Sequence, residues 1–188
     1  MKKMRIFTFM SIFFLSAAAV VAQSEKENTK MVGGAEMYPS KTIVENAMNS
    51  KDHTTLVAAV KAADLVKILQ SPGPFTVFAP TNEAFEALPK GTVEDLLKPE
   101  NKMKLETILT YHVLPGEYTA ADIVKAIKKA NGKATFKTVS GDELSAMMDG
   151  DNVILKDSSG NTATVTIADV EQSNGVIHVI DTVLIPAK

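Results

Sequence analysis

The side chains best suited to acid–base or metal chemistry near neutral pH are three histidines, His53, His112 and His178. His53 sits in a polar break, Asn49–His53, and reads as a surface residue. His112 and His178 lie in apolar segments, YHVL and VIHV, far apart in a chain with no cysteine and no H-E-x-x-H pattern. Buried histidines held by hydrogen bonds are the simpler reading of both. Ser158-Ser159-Gly160 supplies serines, but no G-x-S-x-G occurs and the flanks are not strand-to-helix, so it reads as a hairpin tip. Asp149-Gly150-Asp151-Asn152 begins like a calcium loop yet lacks the later ligands and the closing glutamate. There is no phosphate loop and no dinucleotide fingerprint. These residue types and spacings assign no catalytic residue, no metal ligand and no cofactor.

The polar residue that stands out is Asn82, set between apolar anchors in FTVFAPTNEAF, Phe75 to Phe85. Phe75, Val77 and Ala79 alternate with Thr76 and Phe78, which predicts a strand. Pro80 cannot donate to a ladder and should end it. Thr81 or Asn82 then caps a short helical turn carrying Ala84 and Phe85. An amide in that setting is expected to bond to backbone elsewhere and join two parts of the fold.

The elements that must position these residues follow an export-type start. Lys2, Lys3 and Arg5 precede an apolar run, Ile6 to Val21, and Val20-Val21-Ala22 offers small residues for cleavage before Gln23. Residues 1–22 are read as a signal peptide; the run is short for a membrane span of about 20 residues. No cysteine follows the cut, which excludes a lipid-anchored lipoprotein. The remaining chain carries 17 basic and 22 acidic residues, a net charge of −5. That balance excludes nucleic acid as a partner, and without a second long apolar run no membrane insertion is expected after cleavage. Residues 23–37, polar and with two glycines, are expected to form a flexible linker ahead of a single domain, residues 38–186.

Helical spacing dominates the first half of that domain. Ser40 can cap a helix with Ile43, Val44 and Ala47, and Thr54 or Thr55 one with Leu56, Ala59, Val60 and Ala63. Met103, Leu105, Ile108, Leu109 and His112 share one spacing; Tyr111–Leu114 also reads as a strand stopped by Pro115-Gly116. Thr119 with Asp122 resembles a capping box ahead of Ile123, Val124 and Ile127. From Lys133 onward the pattern is β: Ala134–Ser140, Glu143–Met148, Asn152–Lys156, Thr162–Val170 and Val176–Ile185, separated by turn residues. The last segment is apolar on both faces, as for a central strand covered on both sides. Helices first and hairpins last predict an α+β fold.

Three separated motifs resemble the fasciclin domain family, in its small, single-domain bacterial secreted form. They are Thr76–Phe85, Tyr111-His112-Val113 followed by Pro115-Gly116, and Asn174–Asp181 running on to Leu184-Ile185-Pro186. The resemblance spans Tyr38 to Pro186. It implies a wedge-shaped β-sandwich with flanking helices packed mainly in the N-terminal half. Thr76, Phe78, Pro80, Thr81, Asn82, Phe85, Asn174, Gly175, His178 and Pro186 would be structural motif residues. It further implies a non-enzymatic role in cell adhesion or protein interaction, with an extracellular or cell-envelope macromolecule (a protein or matrix component) as partner, periplasmic or secreted. In animal relatives a Tyr-His segment and an Asp-Ile pair are linked to integrin binding. Tyr111 and His112 match the first, and Asp169 and Val170 stand at the second with Val in place of Ile. The competing role for Tyr111-His112 is structural: a buried histidine whose ring bonds toward the first motif, near Asn82. Some relatives are also associated with carotenoids. The alternative function is therefore carriage of an apolar small molecule, a carotenoid or lipid, in a groove lined by Met103, Met147, Met148 and the apolar helix faces.

Overall fold

The structure, a computed structural model, describes residues 28–187. The signal-peptide reading of residues 1–22 therefore lies outside the described residues. The described residues open with a hairpin, β1 (Lys30–Val32) and β2 (Ala35–Met37), where the sequence predicts a flexible linker, residues 23–37; residues 23–27 of that linker lie outside the described residues. The reason is local: Gly33 and Gly34 both take positive φ, 58° and 73°, which a two-residue hairpin turn demands. Val32 and Met37 then point into the core.

Seven helices follow between Ile43 and Lys129: α1 (Ile43–Ala47), α2 (Thr54–Ala62), α3 (Val66–Leu69), α4 (Asn82–Glu86), α5 (Thr92–Leu96), α6 (Lys102–Tyr111) and α7 (Ala120–Lys129). Two of the caps are reciprocal boxes, Thr42 with Glu45 and Thr119 with Asp122. The first cap is thus Thr42, not Ser40. The α2 helix begins after His53 without a side-chain cap.

The remaining strands are β3 (Phe75–Pro80), β4 (Val113–Pro115), β5 (Lys133–Lys137), β6 (Glu143–Asp149), β7 (Asn152–Lys156), β8 (Thr162–Gln172) and β9 (Gly175–Ile180). They form one hydrogen-bonded series in the order β4-β3-β9-β8-β7-β6-β5. All neighbours are antiparallel except β3 and β9, which run parallel, Phe75 opposite Gly175 through Pro80 opposite Ile180. The long β8 pairs with β7 through its first residues and with β9 through the rest, and it carries register shifts between Val165 and Val170. Bulges of this kind bend a strand, so the series folds over itself there into a sandwich. Segment 176–185 ends as a strand at Ile180. Beyond it Asp181 turns the chain away, its backbone N–H and its carboxylate both bonding to the backbone of Thr164.

Two hydrophobic clusters result. One lies between the helices and the outer face of β3 and β9, and includes Val77, Ala79, Phe85, Ile177 and Val179. The other lies inside the folded sheet beneath α7, and includes Phe78, Tyr111, Leu114, Ile123, Leu155, Ile180 and Leu184. Alternate residues of β3 and β9 feed the two clusters, as period-two geometry requires. Every residue of β9 is buried.

The tightest point of the parallel pair is Gly175, with φ 147°. A Cβ added there would fall 1.9 Å from the Phe75 carbonyl oxygen. Gly160 also has positive φ, 93°, but faces open space. Gly175→Ala is therefore expected to cost at least about 3 kcal/mol, backbone strain plus steric clash, and Gly160→Ala about 1–2 kcal/mol. Thermal unfolding of the two variants checks the difference; equal losses would rule out the close approach.

Candidate functional site

The Thr76–Phe85 segment acts as a junction. Thr76 is fully buried; its hydroxyl donates to the Gly116 carbonyl and accepts from the Tyr118 N–H, both at 2.8 Å. Phe78 stacks on His178, ring centroids 5.7 Å apart. Pro80 is the last strand residue, and the Thr81 hydroxyl caps α4 by accepting from the Ala84 N–H at 3.3 Å. Asn82 accepts from the Thr55 N–H at 3.0 Å and the Thr54 hydroxyl at 3.2 Å, and donates to the Lys51 carbonyl at 2.8 Å. One amide thus ties the start of α4 to the start of α2. Phe85 buries in the helix-side cluster.

Asn174 does the same at the other end of the pair. It accepts from the Ile43 N–H at 3.0 Å and donates to the carbonyls of Leu69 and Ser71 at 2.8 and 3.1 Å. Pro186 is half-buried, beyond the strand. Two polar anchors escaped sequence reasoning. Asn46, fully buried, bonds to both backbone groups of Tyr38 and to the Gln172 side chain. Asp157, also buried, accepts from the Asn161 N–H and side chain and from the Ile185 N–H. A polar residue breaking the apolar run IVENA, and an aspartate opening a Ser-Ser-Gly-Asn turn, were the available signals.

The histidines are all buried. His53, expected at the surface, is 3% exposed. Its Nδ1 lies 2.8 Å from the Ser50 hydroxyl, and its Nε2 has no hydrogen-bond partner among the described residues. The polar break folds into a 3-10 turn, Lys51–His53, beneath the β1–β2 hairpin, which carries the ring inward. His112 does not reach toward Asn82. Its Nε2 accepts from the Leu184 N–H at 3.0 Å, so Nδ1 carries the proton and donates to the Ile108 carbonyl at 2.8 Å. The link from residue 112 to the first motif is instead its backbone carbonyl, which accepts from the Phe78 N–H at 2.9 Å. His178 has the opposite tautomer: Nδ1 accepts from the Asp169 N–H at 3.2 Å and Nε2 donates to the Tyr118 carbonyl at 2.8 Å.

Of the residues matched to partner contact, Tyr111, His112 and Val170 present no side chain to solvent. The Tyr111 hydroxyl donates to the Glu143 carbonyl at 2.8 Å and accepts from the Ser158 N–H at 3.2 Å, and burial raises its pKa. Asp169 is half-buried in the β8 bulge at φ 55°, and its carboxylate accepts from the Ala120 N–H at 2.7 Å. The Tyr111, His112 and Asp169 side chains each bond to the backbone of another segment of the fold. Among the described residues no group of three metal-ligating side chains converges, and no helix is long and apolar enough to cross a membrane.

An apolar cavity of about 70 Å³ opens between α1, α2, α3, β3 and the end of α6. Its walls include Val44, Leu56, Val60, Leu65, Phe75 and Leu109. None of Met103, Met147 and Met148 lines it. Met103 is 82% exposed on α6, and the other two lie on β6 in the other layer of the sandwich.

Burial lowers the pKa of all three histidines, that of His112 from 6.5 to about 4. Below pH 6.5 the unfolded chain takes up protons that the folded chain refuses, so stability present above that pH is lost as pH falls toward 4. The His112 share is about 3 kcal/mol, with the Asp157 carboxylate the one charge that works against the shift. Unfolding midpoints measured from pH 7.5 to 4 should fall across this window. His112→Ala should cost about 1–3 kcal/mol at pH 7.5, because the Leu184 N–H and Ile108 carbonyl lose their partner, and should flatten the acid slope. An unchanged midpoint or an unchanged slope would contradict this assignment.

Residues 51–186 match the sequence profile of the Fasciclin domain. The chain is similar to Protein sll1483 of Synechocystis, 48% identical over 188 residues, covering 97% of this chain and 96% of that protein. It is also similar to human periostin, 33% identical over 146 residues, 77% of this chain but 16% of periostin. Among solved structures, a FAS1 domain pair from the insect cell adhesion molecule Fasciclin I superposes with a TM-score of 0.68 at 22% identity, over 78% of this chain and 51% of that one. With its motifs and its profile match in agreement, this chain belongs to the fasciclin domain family.

Proposed function

We propose that this protein is an exported, non-enzymatic fasciclin domain acting in cell adhesion or in extracellular or envelope protein interaction. The observation that carries the reading is the use made of its reactive side chains. Both nitrogens of His112 and His178, the Tyr111 hydroxyl and the Asp169 carboxylate are engaged with backbone groups, leaving them no free proton-transfer role. The export part rests on the charged, apolar and small-residue order of residues 1–22. Adhesion is supported by the fold shared with an insect cell adhesion molecule. Immobilised protein should retain a saturable, protease-sensitive partner from extracellular matrix, host-surface or envelope fractions. Absence of any saturable partner across the three fractions would overturn the reading.

The cavity favours a second reading, carriage of an apolar small molecule. Its walls are almost wholly hydrocarbon, which is the make-up of a ligand pocket rather than of a hydrated cleft. Protein isolated from its native source should then yield a stoichiometric lipid or pigment on solvent extraction, and a clean extract would remove this reading.

A further inference from the structure

The same cavity has a chemically distinct rim. Among the described residues Lys61 is the one charged residue that lines it, and no carboxylate does. Lys61 is exposed and makes no hydrogen bond or ion pair among the described residues. The other polar side chains in the lining are already committed: Thr110 donates to the Glu106 carbonyl at 2.7 Å, and both nitrogens of His112 are bonded. Lys61 follows Val57 by one helical turn on α2, so its methylene stem lies along the apolar wall and its exposed ammonium stands at the outer end of that wall.

The mouth is apolar as well. Ile68 on α3 and Val139 on the turn after β5 line it, 52% and 43% exposed. The Val139 N–H donates to the Val113 carbonyl at 2.8 Å, which holds that turn against β4. A hydrocarbon floor, a hydrocarbon mouth and one unpaired cation at the edge describe complementarity to a molecule with one alkyl chain and one negative end.

We infer that the cavity takes a free fatty acid, its terminal carbons in the floor and its carboxylate against the Lys61 ammonium. This rests on the carrier reading and narrows it. A volume of about 70 Å³ holds only the end of a chain, so the remaining methylenes lie along the mouth over Ile68 and Val139.

The test is calorimetric titration of the full chain with dodecanoate and, separately, with dodecanol, both below their aggregation thresholds. Dodecanoate should bind saturably at one site, roughly threefold to fivefold tighter than the alcohol, as for a solvent-facing charge pair. Lys61→Gln should remove that preference and leave alcohol binding unchanged. Val57→Trp, which fills the wall beside Lys61, should abolish binding of both while circular dichroism shows the native fold. Equal affinity for acid and alcohol, or a preference that survives Lys61→Gln, overturns the fatty-acid assignment and leaves apolar carriage standing. Binding that survives Val57→Trp places the ligand elsewhere and overturns it too. Failure of both molecules to bind overturns the carrier reading with it.

Discussion

Parallel pairing of β3 with β9 is the constraint on which the rest of this structure depends. Two strands a hundred residues apart lie in register from Phe75 opposite Gly175 to Pro80 opposite Ile180. Closing so long a loop costs chain entropy before any contact is gained, and parallel strands cannot be joined by a hairpin. The pair is therefore secured at both ends and on both faces. Gly175 permits the close approach to Phe75, and Asn174 fastens the incoming end to α1 and to the end of α3. At the outgoing end the Thr81 N–H donates to the Ile180 carbonyl, and Asn82 fastens α4 to α2. Apolar side chains of both strands then divide between the two clusters.

This arrangement explains the fate of the polar motif residues. A buried amide or imidazole without partners costs on the order of 1–3 kcal/mol, whereas one that satisfies two or three backbone groups offsets that cost and fixes one geometry. Asn46, Asn82 and Asn174 satisfy backbone groups of loops that no ladder reaches. His112 holds the segment after β9 by the Leu184 N–H, while His178 links the β8 bulge to the chain just before α7. With no cysteine in the chain, such side-chain fastenings take the place of covalent ones. Their dependence on neutral imidazole makes the fold sensitive to acid by its own construction.

The family motifs thereby hold the surrounding elements in place. The helices packed on one face of β3 and β9 leave an apolar cavity lined by residues of α1, α2 and α3. The sheet's other face is sealed by its own folding at β8 and by α7.

Much of this was legible in the sequence, and for local reasons. Pro80 ending a strand, and Thr81 and Thr119 capping helices, depend on residues within a few positions of one another. The burial of β9 was legible because both its faces are apolar. That β3 runs parallel beside it, that His53 turns inward, that His112 meets Leu184 instead of the surroundings of Asn82, and that Lys61 stands at a hydrocarbon cavity free of methionine were decided by the tertiary structure. Each depends on groups brought together from distant parts of the chain. A side chain's exposure and partners are set by packing, and packing has no period that a sequence can display.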